Sequence, residues 1–277
     1  MCKLYTYIKP ILFIICSLFQ KYVYLFTKGD KIKEMKIKIQ DFEIVTLGDH
    51  AIVFSLAAKM DTKIVQKITA LSAFVKSKNI HGILDVIPSY HTLTIIYSIT
   101  KFLHKNKSVI EQVVEFSNTI LNDFNNESTN IKTTQNTIIK VPVCYDPIFG
   151  IDLENLSNAK NISAQEIVSI HSAIIYEVYS IGFLPGFTYM GIVDEKIQTP
   201  RHDKPRMNVI AGSVGIAGLQ TGIYPCNSPG GWQIIGRTPW NIFNKSENIL
   251  AKFKVGDLVQ FYAIDKIEFD KMNEHNF

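Results

Sequence analysis

Between Gly182 and Pro239 the chain gathers cationic, aromatic and glycine residues in a pattern suited to a small anionic ligand. The runs are GFLPGFTYMG (182–191), TPRHDKPR (199–206), AGSVGIAGLQTGIYP (211–225) and SPGGWQIIGRTP (228–239). Arg201, Arg206 and Arg237 carry planar guanidinium groups that match a carboxylate. Gln220 and Ser228 add neutral donors, and Tyr224 adds an aromatic ring with a polar tip. Phe187 and Trp232 supply an apolar wall. The glycines allow the backbone to approach closely. Glycine-shaped backbone, aromatic wall and arginine donors together describe a pocket for a small planar carboxylate or amide.

Each element also has a plainer reading. Glycines in a β-rich segment serve as turns and bulges. The aromatics can be core. Arg201 and Arg206 flank prolines and can be solvated loop charges. Arg237 lies between Ile234-Ile235 and Thr238-Pro239 and is the stronger site candidate. His171 ends a helical pattern, so it is expected to cap that helix's C-terminus rather than to catalyse. Asp146 is expected in a turn. No GxxxxGK[ST] loop occurs, so a P-loop for ATP is not supported.

The elements that position these residues fall into two sets. Phe42–Leu56 reads as two strands around Gly48-Asp49. Asp61 is a helix N-cap, followed by Ile64, Val65, Ile68, Leu71 and Val75 at helical spacing. Strands are expected at 82–87 and 92–97, then a helix over 108–124 opened by the capping box Ser108-x-x-Glu111. The Asn/Ser/Thr-rich stretch 125–137 reads as a linker. A strand over 138–145, a short helix at 151–158 and a capped helix at 163–171 follow. From Tyr176 the chain is β-like and punctuated by Gly and Pro, which suggests a barrel or sandwich, with a last strand at 258–264. The expected organisation is a small α/β domain over 35–124, a linker over 125–137 and a β-rich domain over 138–277.

With 277 residues, 47% of them hydrophobic and 19% charged, the chain is long enough for two domains with real cores. The formal charge of +4 is misleading. Residues 1–34 hold six lysines against Asp30 and Glu34, so the chain from Met35 onward is neutral. No global field therefore recruits nucleic acid or an anionic membrane. The four cysteines form no CxxC pair, which suggests neither a zinc site nor a disulfide framework and fits a reducing, cytoplasmic setting. The apolar stretch at 11–26 is broken by Gln20 and Lys21. It reads as an interrupted membrane helix, as a signal peptide without a small-x-small cleavage site, or as an extension ahead of a true start at Met35; the last is preferred.

The four runs together resemble the signature of the B subunits of ATP-dependent 5-oxoprolinases. That family is also described as allophanate hydrolase subunit 1 or carboxyltransferase subdomains C and D, and it includes the sporulation kinase inhibitor KipI. Weaker agreement extends through VPVCYDPIFGIDL (141–153), IHS (170–172) and VIPSYHTLTIIY (86–97), so it covers about Met35 to Ile264. Thr188 stands where the family usually has Pro, Cys226 lies at a variable position, and residues 1–34 have no counterpart.

The resemblance implies an N-terminal α/β domain and a C-terminal cyclophilin-like β-barrel. It implies joint action with the C and A subunits of such an enzyme (PxpC-like and PxpA-like) to open 5-oxoproline to glutamate, with ATP as co-substrate of the complex. A lactam amide is a poor electrophile, and phosphorylating its oxygen gives an imidate that water attacks. On that reading Arg201, Arg206 and Arg237 are the catalytic candidates, while Gln220, Tyr224, Trp232, Ser228 and Phe187 bind substrate. Two alternatives follow from the same family: an inhibitor that binds a sensor histidine kinase, and a carboxyltransferase module of the urea carboxylase type. No biotinyl-acceptor segment is present, which ranks the latter third.

Overall fold

A computed structural model describes residues 36–102, 107–128, 137–244 and 251–274. The apolar extension 1–34 and most of the linker stretch lie outside the described residues. The rest forms two compact units, one ending in the helix that closes at Ser128 and one beginning at Thr137.

The first unit contains β1 (Lys36–Ile39), β2 (Phe42–Leu47), β3 (Ala51–Ser55), α1 (Thr62–Ser77), β4 (Ile83–Ser89), β5 (Thr92–Tyr97), α2 (Ile99–Phe102) and α3 (Val109–Ser128). The strands form one antiparallel sheet in the order β1-β2-β3-β5-β4. Alternation along each strand puts Ile44, Ile52, Phe54, Leu93 and Ile95 on one face. There they share a core with Ile68 and Leu71 of α1 and Val113, Ile120 and Leu121 of α3. The helix starts are chemically specified. Asp61 accepts a hydrogen bond from the Lys63 backbone N–H at 2.9 Å. Glu111 accepts from the Ser108 backbone N–H at 2.9 Å, while Ser108 Oγ accepts from the Glu111 N–H at 3.2 Å, a reciprocal capping box. α3 runs four residues past Phe124, into the stretch expected as linker.

The second unit contains β6 (Ile138–Cys144), α4 (Leu153–Lys160), α5 (Ala164–Ala173), β7 (Ile175–Ile181), β8 (Thr188–Gly191), a 3-10 turn (Glu195–Ile197), β9 (Arg206–Val209), β10 (Ser213–Ala217), β11 (Gln220–Ile223), β12 (Ser228–Gly230), β13 (Gln233–Arg237), β14 (Leu258–Ile264) and α6 (Lys266–Glu274). Seven strands close into a barrel in the order β10-β11-β8-β7-β14-β6-β13. β14 and β6 are parallel over seven residue pairs, and the other barrel neighbours are antiparallel. Val141, Val143, Tyr176, Val178, Met190, Val214, Ile216, Ile223 and Ile235 belong to the barrel core. This is the α+β plus closed-barrel architecture expected from the sequence. β9 and β12 stay out of the barrel and pair with each other as a two-stranded ribbon. That ribbon carries Arg206 and Ser228. Beyond Ile264 the chain adds α6, which the sequence pattern does not signal and whose one buried residue is Phe269.

Candidate functional site: a carboxylate-anchored arginine beside an aromatic cluster

The site begins with a turn. Asp146 Oδ1 accepts from the Ile148 N–H at 3.0 Å, and the Asp146 carbonyl accepts from Phe149 and Gly150, so the chain reverses toward α4 as a turn residue directs. It delivers Asp152 to the start of α4, in contact with β13. The Asp152 backbone N–H donates to the Ile234 carbonyl at 2.9 Å, and the Ile234 N–H donates to Asp152 Oδ2 at 2.7 Å. The side chain makes no cap bond to its own helix. It is buried, and Oδ1 accepts instead from Arg206 Nη2 at the start of the ribbon. His202 Nε2 lies 3.3 Å from Oδ2, without hydrogen-bond geometry. One buried carboxylate thus gathers β13, Arg206 and His202. A buried charge is tolerated only when paired and hydrogen-bonded, and this one is both.

The arginine is only partly used. Arg206 Nη1 is buried and has no hydrogen-bond partner among the described residues. Ser228 Oγ, on the facing ribbon strand, is likewise buried and unpartnered. Next to the ribbon stands the aromatic cluster. Phe187 packs edge-on against Tyr224 and Trp232, with ring centroids 4.9 and 5.3 Å away. Arg201 lies 5.9 Å from the Trp232 ring centroid, a cation–π contact at an exposed position. Tyr224 is buried, which raises its phenol above the usual range, while the Trp232 backbone and the Arg201 and Arg206 charges pull it back down. The phenol sits over Gly230, where an added Cβ would lie 2.8 Å from the tyrosine Cε1. Only glycine fits at that point.

The residues marked by the sequence therefore divide. Arg201, Arg206, Phe187, Tyr224 and Trp232 come together, with Ser228 on the adjoining ribbon. Gln220 is buried in β11, opposite Gly191 of β8 and Ala217 of β10. Arg237 keeps different company. Its Nε donates to the Ala211 carbonyl at 2.8 Å, and its guanidinium lies 5.7 Å from the ring centroids of both Phe149 and Phe269. Its carbonyl-bound, ring-stacked pose comes from α6 and the 146–150 turn, which charge and spacing along the chain do not reveal. Asp152 and His202 carry no signal in the sequence pattern. The run DPIFGID makes Asp152 look like an ordinary helix start; only pairing with a segment 54 residues away gives it a role.

His171 corrects the sequence-based expectation. It does not cap α5. Its ring is buried, Nδ1 is 2.8 Å from Tyr145 Oη, Nε2 is 2.9 Å from Thr221 Oγ1, and it stacks on Phe261 at 4.6 Å. Burial drives its pKa down to about 3 and pushes the Tyr145 and Tyr176 phenols up. A neutral imidazole that donates on one side and accepts on the other satisfies both hydroxyls. Among the described residues no group of three His, Cys, Asp or Glu side chains is placed to hold a metal, and no helix is long and apolar enough to cross a membrane.

Fold and site define a carboxyltransferase-type barrel carried in one chain with an α/β unit. The family model described as "Carboxyltransferase domain, subdomain C and D" matches residues 42–251, and the chain belongs to that family. Two relatives are named as the B subunit of 5-oxoprolinase. That of Bacillus subtilis (strain 168) is 32% identical over 235 residues, covering 85% of this chain and 98% of the relative. That of Haemophilus influenzae is 34% identical over 219 residues, covering 79% and 96%. The crystal structure of the Kluyveromyces lactis urea carboxylase shares the fold, with a TM-score of 0.64 at 17% identity. It covers 90% of this chain, which spans only 24% of that protein.

Proposed function

We propose that this chain is the B subunit of an ATP-dependent 5-oxoprolinase, acting with the A and C subunits in a cytoplasmic complex to hydrolyse 5-oxoproline to glutamate. The observation that carries the reading is the Arg206 guanidinium, fixed by buried Asp152 through one amine and left with a free donor at Nη1. A fixed cationic donor near Tyr224, with Arg201 over Trp232, suits the carboxylate and flat ring of 5-oxoproline. The names of the two relatives support the same assignment.

In this role Arg206 and Arg201 receive the substrate carboxylate and the charge that builds as the lactam opens. Phe187, Tyr224 and Trp232 exclude water and hold the ring. Gln220 and Ser228 offer further polar atoms, while Arg237, bonded to the Ala211 carbonyl and set beside Phe149 and Phe269, takes no part in holding the substrate. The ribbon and loops around the arginines have no nucleotide-loop form, so ATP, as co-substrate of the complex, is assigned to no residue of this chain. The chain is inactive alone on this reading.

The test is reconstitution. Co-expression with the A and C subunits is expected to give ATP-dependent glutamate release from 5-oxoproline that is lost when this chain is omitted. No release, together with binding to a histidine-kinase dimerisation domain, would transfer the assignment to the kinase-inhibitor reading.

A further inference from the structure

Asp152 is a buried carboxylate with no direct part in the proposed chemistry. Its two oxygens take a guanidinium donor and an imidazole contact from the 199–206 run and a backbone donor from β13. The arrangement fixes Arg206, whose stem would otherwise have free rotamers at the edge of a two-stranded ribbon. With Nη2 bound to Oδ1, the planar fork is restrained, and Nη1 remains as a buried donor without a partner. A buried donor without a partner is costly unless a ligand supplies the acceptor. The charge count agrees. Asp152 neutralises one cation, so Arg201 and Arg206 together keep one surplus positive charge, which suits a monoanion.

We propose that Asp152 is a positioning residue that aims Arg206 Nη1 at the carboxylate of a small monoanionic ligand, resting on the 5-oxoprolinase reading for the identity of that ligand. Asp152 touches no substrate and acts through Arg206. His202 closes the second oxygen of Asp152 against solvent.

A double-mutant cycle on the reconstituted complex tests this. Asp152→Asn and Arg206→Gln are each expected to raise the KM for 5-oxoproline by roughly tenfold or more while changing kcat much less, the size expected for one charge-assisted hydrogen bond. The double variant is expected to be no worse than Arg206→Gln alone, because Asp152 has nothing left to aim. A merely structural Asp152 would give effects that multiply, and that outcome overturns the proposal. Should the Asn variant lose its cooperative thermal transition, Asp152→Glu takes its place. It keeps the charge and displaces the guanidinium by one methylene, so a raised KM supports the proposal and an unchanged KM sinks it. The wild-type complex separates the two levels. No ATP-dependent glutamate release removes the functional reading and this assignment with it, whereas release with multiplying effects removes only the role of Asp152.

Discussion

The barrel unit buries two polar clusters, and they differ in whether their atoms are spent. Around His171 both ring nitrogens are engaged, one by Tyr145 and one by Thr221, and Phe261 covers the ring. Around Asp152 the carboxylate is engaged but Arg206 Nη1 and Ser228 Oγ are left over. Both clusters look alike by composition: a buried ionisable group among aromatics. The first is a finished hydrogen-bond network that locks α5 against the barrel. The second is unfinished in a way that one ligand would complete. The two clusters differ in what their central groups leave over: both nitrogens of His171 are engaged, whereas Arg206 keeps one buried donor without a partner among the described residues.

The largest predicted effect breaks the finished cluster. His171→Ala leaves the Tyr145 and Thr221 hydroxyls without their ring partners and opens a cavity beside Phe261. It should cost about 3–5 kcal/mol of unfolding free energy by chemical denaturation. A cost under about 1 kcal/mol would mean the network relaxes and is no lock.

The next effect titrates it. The folded-state pKa of His171 near 3 lies below the ordinary imidazole value of 6.5 because burial disfavours the charged ring. The unfolded chain therefore takes the proton first. The stability is complete above about pH 6.5 and declines as pH falls toward 3, at up to about 1.4 kcal/mol per pH unit. His171→Gln should flatten that slope relative to wild type between about pH 6.5 and 5, with the carboxylates titrating alike in both proteins. Identical slopes would show that the ring is not held neutral.

Gly230→Ala probes the unfinished cluster. The new methyl meets the Tyr224 ring, so a loss of about 1–3 kcal/mol and a displaced phenol are expected, together with a raised KM in the reconstituted complex. Normal KM with lowered stability would take Tyr224 out of the site.

The two outlying arginines give the smallest stability changes and the sharpest contrast. Arg201→Ala should change stability by no more than about 0.5 kcal/mol, since the side chain is exposed, yet lower kcat/KM. Arg237→Ala removes a bond to Ala211 and contacts to Phe149 and Phe269, so about 1 kcal/mol of stability should go while KM holds. A raised KM there would return Arg237 to the substrate site.

Much of the scaffold is legible in the residues themselves. Asp61 and the Ser108–Glu111 box mark helix starts through local bonds, and alternation in Phe42–Leu47 and Thr92–Tyr97 marks strands through local period. The aromatic and glycine runs announce Phe187, Tyr224, Trp232 and Gly230. What local pattern cannot carry is pairing at a distance. Asp152 reaches Arg206 only because β13 and the ribbon meet it, and Arg237 lies beside Phe269 only because α6 brings that ring to it. His171 misleads for the same reason: Tyr145 and Thr221 lie 26 and 50 residues away. α6 itself is hidden by a polar sequence with one buried anchor.

The parallel pairing of β6 with β14 has a consequence for how the chain is made. These strands open and close the barrel sequence and stand 120 residues apart at every rung. Until Ile264 has left the ribosome, β6 and β7 both lack the neighbour that lies between them, and each shows an unpaired edge. Closure therefore depends on a pairing across a long stretch of chain rather than on local propensity. A nascent chain stalled before Leu258 would present those edges to other chains, so the interval before closure is the period of greatest exposure to aggregation and of greatest benefit from chaperones.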